Sequence, residues 1–340
     1  MKEKVAVVGA GSWGTALAQV LAENGHDVTL WARSVPVADE LNQRHTNKKY
    51  LPQAKLHPAI YATTSLEEAC YNKSFILFAV PSHAMRHTAR EVKKVMNKET
   101  RIVHAAKGFE QDSWKRMSEV LSEELERDQA SIAILSGPSH AEEVIQKSPT
   151  TVVVACGDQE VAKQVQYVLM NTSFRVYTHS DAIGVEVGGA LKNIIALAAG
   201  LVQGLGFGDN AKAALMTRGL AEIARLGKAM GAKPITFVGL AGVGDLIVTC
   251  TSTHSRNWRA GYMLSQGKSL SVVLDEMGMV VEGVKTTRAA HALAKHYQVE
   301  MPLTEQLYQV LFMDKEPEQA AKDLMLRGKT NEMEEIMETW

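Results

Sequence analysis

Cysteine is scarce in this chain of 340 residues, and the three cysteines are far apart in the sequence. Cys70, Cys156 and Cys250 form no Cys-x-x-Cys pair, which argues against a disulfide framework and against a structural zinc site. The scarcity also indicates a reducing compartment. The histidines show no His-Glu-x-x-His or similar ligand spacing, so we expect no metal.

An excess of charge of either sign is also lacking, since 37 Lys and Arg residues balance 38 Asp and Glu residues. Such a chain has no overall attraction to nucleic acid or to a membrane surface. The most apolar stretch, residues 194–208, is too short to span a bilayer and predicts a buried helix. The first strand starts almost at residue 1, so we expect no signal peptide and a cytoplasmic location.

Short β-rich segments alternate with helical patterns in the first half of the chain. Seven strands are predicted, at residues 5–8, 28–32, 75–80, 101–105, 131–135, 151–155 and 174–177. Continuous apolar strands separated by helices predict a mainly parallel sheet covered on both faces. Ligands bind such sheets at the carboxyl ends of the strands.

The composition changes near residues 179–181, after which Ala, Leu, Met and Gly dominate and helical spacing replaces strand patterns. We therefore predict an α/β chain with two domains. Residues 1–180 form a Rossmann-type, doubly wound, mainly parallel sheet, and residues 181–340 form an all-helical domain. The acidic, Met-rich tail from Lys329 is expected to fray.

Gly9, Gly11 and Gly14 form a Gly-x-Gly-x-x-Gly motif between the first strand and a helical segment. The first glycine permits a tight turn, the second lets the backbone approach phosphates, and the third allows close packing of helix on strand. The helix N-terminus adds free N–H groups and partial positive charge. The sequence therefore predicts a dinucleotide-binding site.

Arg33 follows the second strand, where proteins specific for NAD usually carry an acidic residue. A carboxylate would repel a 2′-phosphate, whereas a guanidinium can pair with one. An exposed arginine at a strand end is the simpler interpretation. With no acid at this position, we expect NADPH to be favoured, and the use of NADH stays open.

Three features of the second half are candidates for chemistry. Lys192 lies in an apolar helical run, where burial would bring the amine's pKa toward neutrality and suit general acid–base catalysis; a lysine reaching solvent is the alternative. Asp245, flanked by glycine, could pair with Lys192, could cap a helix, or could do both. Ser255, Arg256 and Asn257 either grip a phosphate or carboxylate or form an ordinary exposed helix start.

Together these motifs resemble the bacterial NAD(P)-dependent glycerol-3-phosphate dehydrogenases. The matching segments occur in family order, at residues 9–14, 107–108, 137–141, 189–193, 242–246 and 255–257. The resemblance implies reversible, NAD(P)H-dependent reduction of dihydroxyacetone phosphate to sn-glycerol 3-phosphate, which supplies glycerophospholipid synthesis. It also implies a homodimer.

The resemblance further implies roles for individual residues. Lys192 would be the catalytic acid and base, with Asp245, Lys107 and Thr249 beside it. The implied substrate-binding residues are Lys107, Gly137, Ser139, Lys192, Asp245, Ser255, Arg256 and Asn257. The implied cofactor-binding residues are Gly9, Gly11, Ser12, Trp13, Gly14, Arg33, Lys107, Ala141, Arg256, Val280 and Glu282.

Two other functions fit parts of the sequence. A β-hydroxyacid or ketoacid reductase of the same two-domain plan would recognise a carboxylate in place of the phosphate. A non-catalytic NAD(P)H sensor would leave Lys192 unexplained, and the sequence has no basic recognition segment for DNA.

Overall fold

The computed structural model describes residues 2–328 and residue 332, and the chain forms two units. The first unit comprises the chain up to Ala106 together with Lys115–Ala182. The second comprises Lys107–Trp114 and the chain from Ile183 onward. The tail that the sequence predicts to fray lies outside the described residues, apart from Glu332.

The first unit alternates strands with helices. Its strands are β1 (Lys4–Val8), β2 (Asp27–Trp31), β3 (Ile60–Thr63), β4 (Phe75–Phe78), β5 (Arg101–His104), β6 (Ile132–Ser136), β7 (Thr150–Ala155) and β8 (Phe174–His179). Its helices are α1 (Ser12–Glu23), α2 (Val35–Arg44), α3 (Leu66–Cys70), α4 (Met85–Lys93), α5 (Met117–Leu125), α6 (Ala141–Ile145) and α7 (Gln159–Leu169).

The strands form one sheet of eight in the order β3-β2-β1-β4-β5-β6-β7-β8. All neighbours are parallel except β6 and β7, which confirms the prediction of a mainly parallel sheet. Strand β3 was not predicted, because it is a four-residue edge strand with an exposed Tyr61 in its middle. The carboxyl ends of β1, β2, β4, β5 and β6 lie at the same edge of the sheet.

Strand β1 shows that both faces of the sheet are covered. Its alternate residues belong to different cores: Val5 and Val7 pack in one cluster of buried side chains, and Ala6 and Val8 pack in another. Successive side chains of a strand point to opposite faces, so a continuous apolar run requires helices on both sides.

The described part of the second unit contains helices and no strand. The helices are α8 (Ala182–Gly204), α9 (Asp209–Ala229), α10 (Asp245–Thr251), α11 (Arg256–Ser265), α12 (Leu270–Met277), α13 (Glu282–Tyr297), α14 (Pro302–Phe312) and α15 (Pro317–Met325). This agrees with the predicted helical second half of the fold.

Helix α8 is a long apolar helix that is largely buried. It has 23 residues and a mean hydropathy of 1.6, so by length and composition it could cross a membrane, yet 89% of its apolar window is buried within the protein. The predicted buried helix is therefore correct in kind, but it begins earlier than residue 194. Glycines let α8 and α11 approach closely: a Cβ on Gly200 would lie 1.9 Å from the Trp258 carbonyl oxygen, and one on Gly261 would lie 1.9 Å from that of Leu197.

Candidate active site

The glycine turn after β1 has the geometry that its motif predicts. Gly9 has a φ of +122°, and a Cβ there would lie 2.8 Å from the Ala79 carbonyl oxygen. A Cβ on Gly14 would lie 1.9 Å from the Gly9 carbonyl oxygen, so the third glycine is required for α1 to pack on the turn. A Cβ on Gly11 would meet nothing within 4 Å. The space above Gly11 is thus open to a phosphate group, and the turn fits a dinucleotide.

This difference between Gly11 and Gly14 predicts opposite phenotypes for two alanine variants. Gly11→Ala should fold normally, because Gly11 has a φ of −76° and open space around it, but its methyl group should raise the Kd for NADPH at least about tenfold. Gly14→Ala should destabilise the protein by about 3 kcal/mol or more, because backbone must move. Calorimetry of unfolding and of NADPH binding measures both effects. Equal stability of the two variants would contradict the assigned roles.

The residues beside the turn have definite places in the first unit. Ser12 begins α1, and its hydroxyl donates to the Tyr50 carbonyl oxygen at 3.1 Å. The Trp13 ring is partly buried against Phe174, with centroids 6.4 Å apart. Arg33 is exposed two residues after β2 ends. The predicted cofactor roles of Ser12, Trp13 and Arg33 stay predictions.

A second glycine turn follows β6. Gly137 has a φ of +125°, a conformation that favours glycine, and the Ser139 hydroxyl donates to its carbonyl oxygen at 3.0 Å. Ala141 is the first residue of α6 and is buried. The implied contacts of these residues with substrate or cofactor also stay predictions.

Within the second unit, the four predicted catalytic side chains form one cluster around Asp245. The buried Asp245 carboxylate binds the Lys192 ammonium through Oδ1 and the Lys107 ammonium through Oδ2, the latter at 2.7 Å. Lys192 Nζ also donates to the Thr249 hydroxyl at 2.7 Å. Lys192 is 5% exposed, so the alternative of a lysine reaching solvent is wrong.

Burial and the Asp245 carboxylate act in opposite directions on the pKa of Lys192. Burial lowers its pKa from 10.5 to about 7, with Asp245 opposing the shift and the Lys107 ammonium reinforcing it. Burial likewise opposes ionisation of Asp245, but the Lys107 and Lys192 ammonium groups outweigh burial and lower the pKa of the carboxyl below its usual value. The cluster therefore contains an ionised carboxylate and an amine that changes protonation near neutral pH.

Asp245 is positioned by the turn before it and not by a capping role. It is the first residue of α10 and follows the π-helical turn Leu240–Gly244, and its side chain binds the lysines, so the capping alternative is wrong. Two close backbone approaches at this turn require glycine. A Cβ on Gly188 of α8 would lie 2.7 Å from the Ala241 carbonyl oxygen. A Cβ on Gly242 would lie 1.9 Å from that of Phe237.

Two of the three polar side chains in the segment 255–257 make hydrogen bonds within the protein, and the third is exposed. The Ser255 hydroxyl accepts from the Trp258 N–H at 3.3 Å and caps α11. Asn257 is buried and bridges two elements, donating to Asn193 Oδ1 and accepting from the Gly283 N–H, both at 2.8 Å. Asn193 was not among the predicted site residues, although it is the last residue of the matching segment 189–193 and lies beside Lys192.

Arg256 is the exposed member of this segment. Its guanidinium donates to the Val280 carbonyl oxygen at 3.3 Å, which brings two predicted cofactor-binding residues together. Glu282 is the first residue of α13, two residues further on. The roles of Ser255, Arg256, Asn257, Val280 and Glu282 towards ligands stay predictions.

Two family models match the chain. One is described as NAD-dependent glycerol-3-phosphate dehydrogenase N-terminus and matches residues 4–162, and the other is described as the C-terminus of the same enzyme and matches residues 181–322. The chain belongs to this family.

Individual relatives agree with this family membership, which confirms the predicted resemblance. The chain is 56% identical over 335 residues to the glycerol-3-phosphate dehydrogenase (NAD(P)+) of Lysinibacillus sphaericus, covering 98% of this chain and 99% of the relative. It is 58% identical over 332 residues to that of Enterococcus faecalis, covering 97% and 98%. The crystal structure of glycerol-3-phosphate dehydrogenase from Coxiella burnetii superposes with a TM-score of 0.91 at 40% identity, covering 96% and 99%.

Proposed function

We propose that the protein catalyses the reversible, NAD(P)H-dependent reduction of dihydroxyacetone phosphate to sn-glycerol 3-phosphate. The observation that carries the proposal is the buried Lys192, held between Asp245 and Thr249, with a pKa lowered to about 7. General acid–base groups work best when their pKa lies near the working pH. Family membership supports the choice of substrate and cofactor.

The hydrogen bonds of Thr249 define how Lys192 would move a proton. The Thr249 hydroxyl donates to the Asp245 carbonyl oxygen at 2.5 Å, so it acts as an acceptor towards Lys192. The Asp245 carboxylate is an acceptor as well. Lys192 Nζ therefore uses two N–H groups, one towards Asp245 and one towards Thr249, whether it is an ammonium or a neutral amine. Its third position carries a proton in the ammonium and a lone pair in the amine.

This arrangement supports proton transfer in both directions at one atom. In reduction, the Lys192 ammonium donates its third proton to the C2 oxygen of the substrate as this oxygen becomes an alkoxide. In oxidation, the amine lone pair removes the proton of the C2 hydroxyl. When bound, the cofactor would supply a hydride to C2 as NAD(P)H in reduction and accept it as NAD(P)+ in oxidation. The Asp245 carboxylate stabilises the ammonium without being consumed, and Arg256 would bind the phosphate and so orient the reacting carbon.

The finer parts of the proposal follow the predicted division of the chain. Residues 1–180 would bind the cofactor through the glycine turn, with Arg33 favouring NADPH, and residues 181–340 would carry the substrate and the catalytic lysine. We further propose that the protein is a cytoplasmic homodimer whose product supplies glycerophospholipid synthesis.

The pKa of Lys192 predicts a specific pH dependence. Oxidation of glycerol 3-phosphate requires the neutral amine, so its kcat/KM should rise with pH and level off above about 7. Reduction requires the ammonium, so its kcat/KM should fall above about 7. Binding of glycerol 3-phosphate should be measured across the same range, because the phosphate group itself has a pKa of about 6. A limb near 10.5, the ordinary value for lysine, would contradict the assignment.

A substrate comparison tests the proposed function itself. Oxidation of NADPH and of NADH is followed with dihydroxyacetone phosphate, with dihydroxyacetone and with small ketoacids. We expect turnover with dihydroxyacetone phosphate, very little with the ketone that lacks the phosphate, and a higher kcat/KM with NADPH. Preference for a ketoacid would replace this proposal with a ketoacid reductase.

A further inference from the structure

The segment His45 to Leu51, between α2 and β3, packs against the glycine turn. At its centre is Asn47, which is fully buried. The Asn47 amide nitrogen donates to the Ala10 carbonyl oxygen at 3.0 Å and to the Thr15 hydroxyl at 2.9 Å. None of the sequence motifs includes this asparagine, yet it touches the turn between the first and second glycines of the motif and the helix that follows.

The segment that carries Asn47 is itself held in place. The Asn47 carbonyl oxygen accepts from the Tyr50 and Leu51 N–H groups at 3.1 and 2.8 Å, which closes a compact turn. On the other side, Glu40 of α2 accepts from the Thr46 hydroxyl at 2.7 Å and from the Lys48 N–H at 2.9 Å. Asn47 is therefore presented to the glycine turn from a well-anchored backbone.

Holding the Ala10 carbonyl oxygen has a consequence for Gly11. The described chain has no cis peptide bonds, and in a trans peptide the C=O and the following N–H point to opposite sides of the bond. Fixing the Ala10 oxygen on Asn47 thus directs the Gly11 N–H away from Asn47. Gly11 is the residue with open space around it, and glycine is the residue whose backbone rotates most freely when nothing holds it.

We propose that Asn47 is a positioning residue for the cofactor: it fixes the Ala10–Gly11 peptide so that the glycine turn is in its phosphate-binding conformation before the dinucleotide arrives. Preorganisation raises affinity because the ordering cost is met during folding rather than during binding. The proposal rests on the cofactor-binding role of the glycine turn, which is part of the proposed function.

The hydrogen bonding of Asn47 argues against a purely stabilising role. Among the described residues, its side-chain oxygen is buried and has no hydrogen-bond partner. A buried polar atom without a partner costs stability, and an apolar side chain of similar shape would avoid this cost. An asparagine here is a poor choice for stability alone, whereas its amide donor is required to hold the Ala10 oxygen.

The matched control for this proposal is Asn42 in α2. Its side chain also makes two hydrogen bonds in the first unit, donating to the Ala62 carbonyl oxygen and accepting from the Ala62 N–H, both at 2.8 Å, but it braces β3 instead of the glycine turn. Asn47→Ala and Asn42→Ala are compared by calorimetric unfolding without cofactor, by titration with NADPH, and by steady-state kinetics.

We expect Asn47→Ala to raise the Kd and the KM for NADPH about tenfold, equivalent to about 1.4 kcal/mol, with kcat at saturating NADPH and the KM for dihydroxyacetone phosphate within twofold of wild type. Asn42→Ala should lower the unfolding temperature and leave the Kd for NADPH unchanged. An unchanged Kd in a folded Asn47→Ala protein would overturn the proposal, as would an equal rise in Asn42→Ala.

A second variant covers the case in which Asn47→Ala does not fold. Asn47→Asp keeps the shape but replaces the donor with an acceptor beneath a phosphate site, so its Kd for NADPH should rise more than tenfold; a wild-type Kd would overturn the proposal. Gly11→Ala distinguishes failure of the proposed cofactor site from failure of the proposed role of Asn47. If Gly11→Ala binds NADPH as wild type does, the proposed cofactor site fails, and the role of Asn47 fails with it. If only the Asn47 variants bind normally, the site stands without this positioning residue.

Discussion

Replacing Lys192 with methionine should lower kcat by roughly 10²- to 10⁴-fold, the usual contribution of a general acid or base. The variant should fold, because methionine suits a buried helix position and Asp245 keeps its 2.7 Å ion pair with Lys107. Removing a desolvated amine from an apolar helix also relieves a burial cost. NADPH affinity should stay within twofold, since the glycine turn is unaffected. Steady-state kinetics in both directions and calorimetric titration with NADPH measure these quantities.

One further variant separates proton transfer from charge at Lys192, and a second serves as a control. Lys192→Arg keeps the positive charge, but a guanidinium stays protonated at all accessible pH values and cannot accept a proton, so oxidation of glycerol 3-phosphate should be lost. Lys212→Met, near the start of α9, is the control outside the cluster and should be close to wild type, because Lys212 pairs with a fully exposed Asp209. Activity of Lys192→Met within a few-fold of wild type would rule out the proposed role.

Replacing Asp245 with asparagine should be the most damaging change in the cluster, because it affects stability as well as chemistry. The carboxylate is 1% exposed and pairs with the ammonium groups of both Lys107 and Lys192. Removing one member of a buried ion pair typically costs ~3–5 kcal/mol. Turnover should fall by roughly 10²-fold or more, because the developing ammonium loses its counter-charge. Calorimetry and the pH–rate profile test both parts.

The pH dependence of this variant follows from the direction of the Lys192 shift. Asp245 is the influence that raises the amine's pKa, so its loss should lower that pKa below about 7. At about pH 6 the amine is protonated in the unfolded chain, so folding of the variant must either remove this proton or bury the ammonium without its anion. The stability deficit should therefore be larger at about pH 6 than at about pH 9. The pH–rate limb should shift to lower pH.

A double variant provides the control for Asp245. Lys107→Met removes the second cation, so Asp245→Asn combined with Lys107→Met should lose less stability than the sum of the single variants. Strict additivity of the two losses of stability would show that Asp245 does not act as the counter-charge of Lys107.

Much of the first unit could be predicted because its signals are local. The apolar run of β1, the three glycines and the start of α1 are consecutive, and each reports on its immediate neighbours. The edge strand β3 was missed because four residues at a sheet edge carry almost no periodic signal. Asn47 was missed for a related reason: a polar residue in a loop looks exposed in the sequence, and only the packing of its segment against the turn buries it.

The sequence alone determined the class of the fold and the position of the glycine turn, since these depend on composition and on spacing within one element. It named Lys192 as a candidate but left open whether the amine is buried. The tertiary structure decided which residues Lys192 meets. Asp245 is 53 positions away from it and Lys107 is 138 positions away from Asp245. Gly188 lets α8, which carries Lys192, approach the turn that precedes Asp245. Such close packing is a property of the folded chain, because local patterns carry no information about which distant surfaces touch.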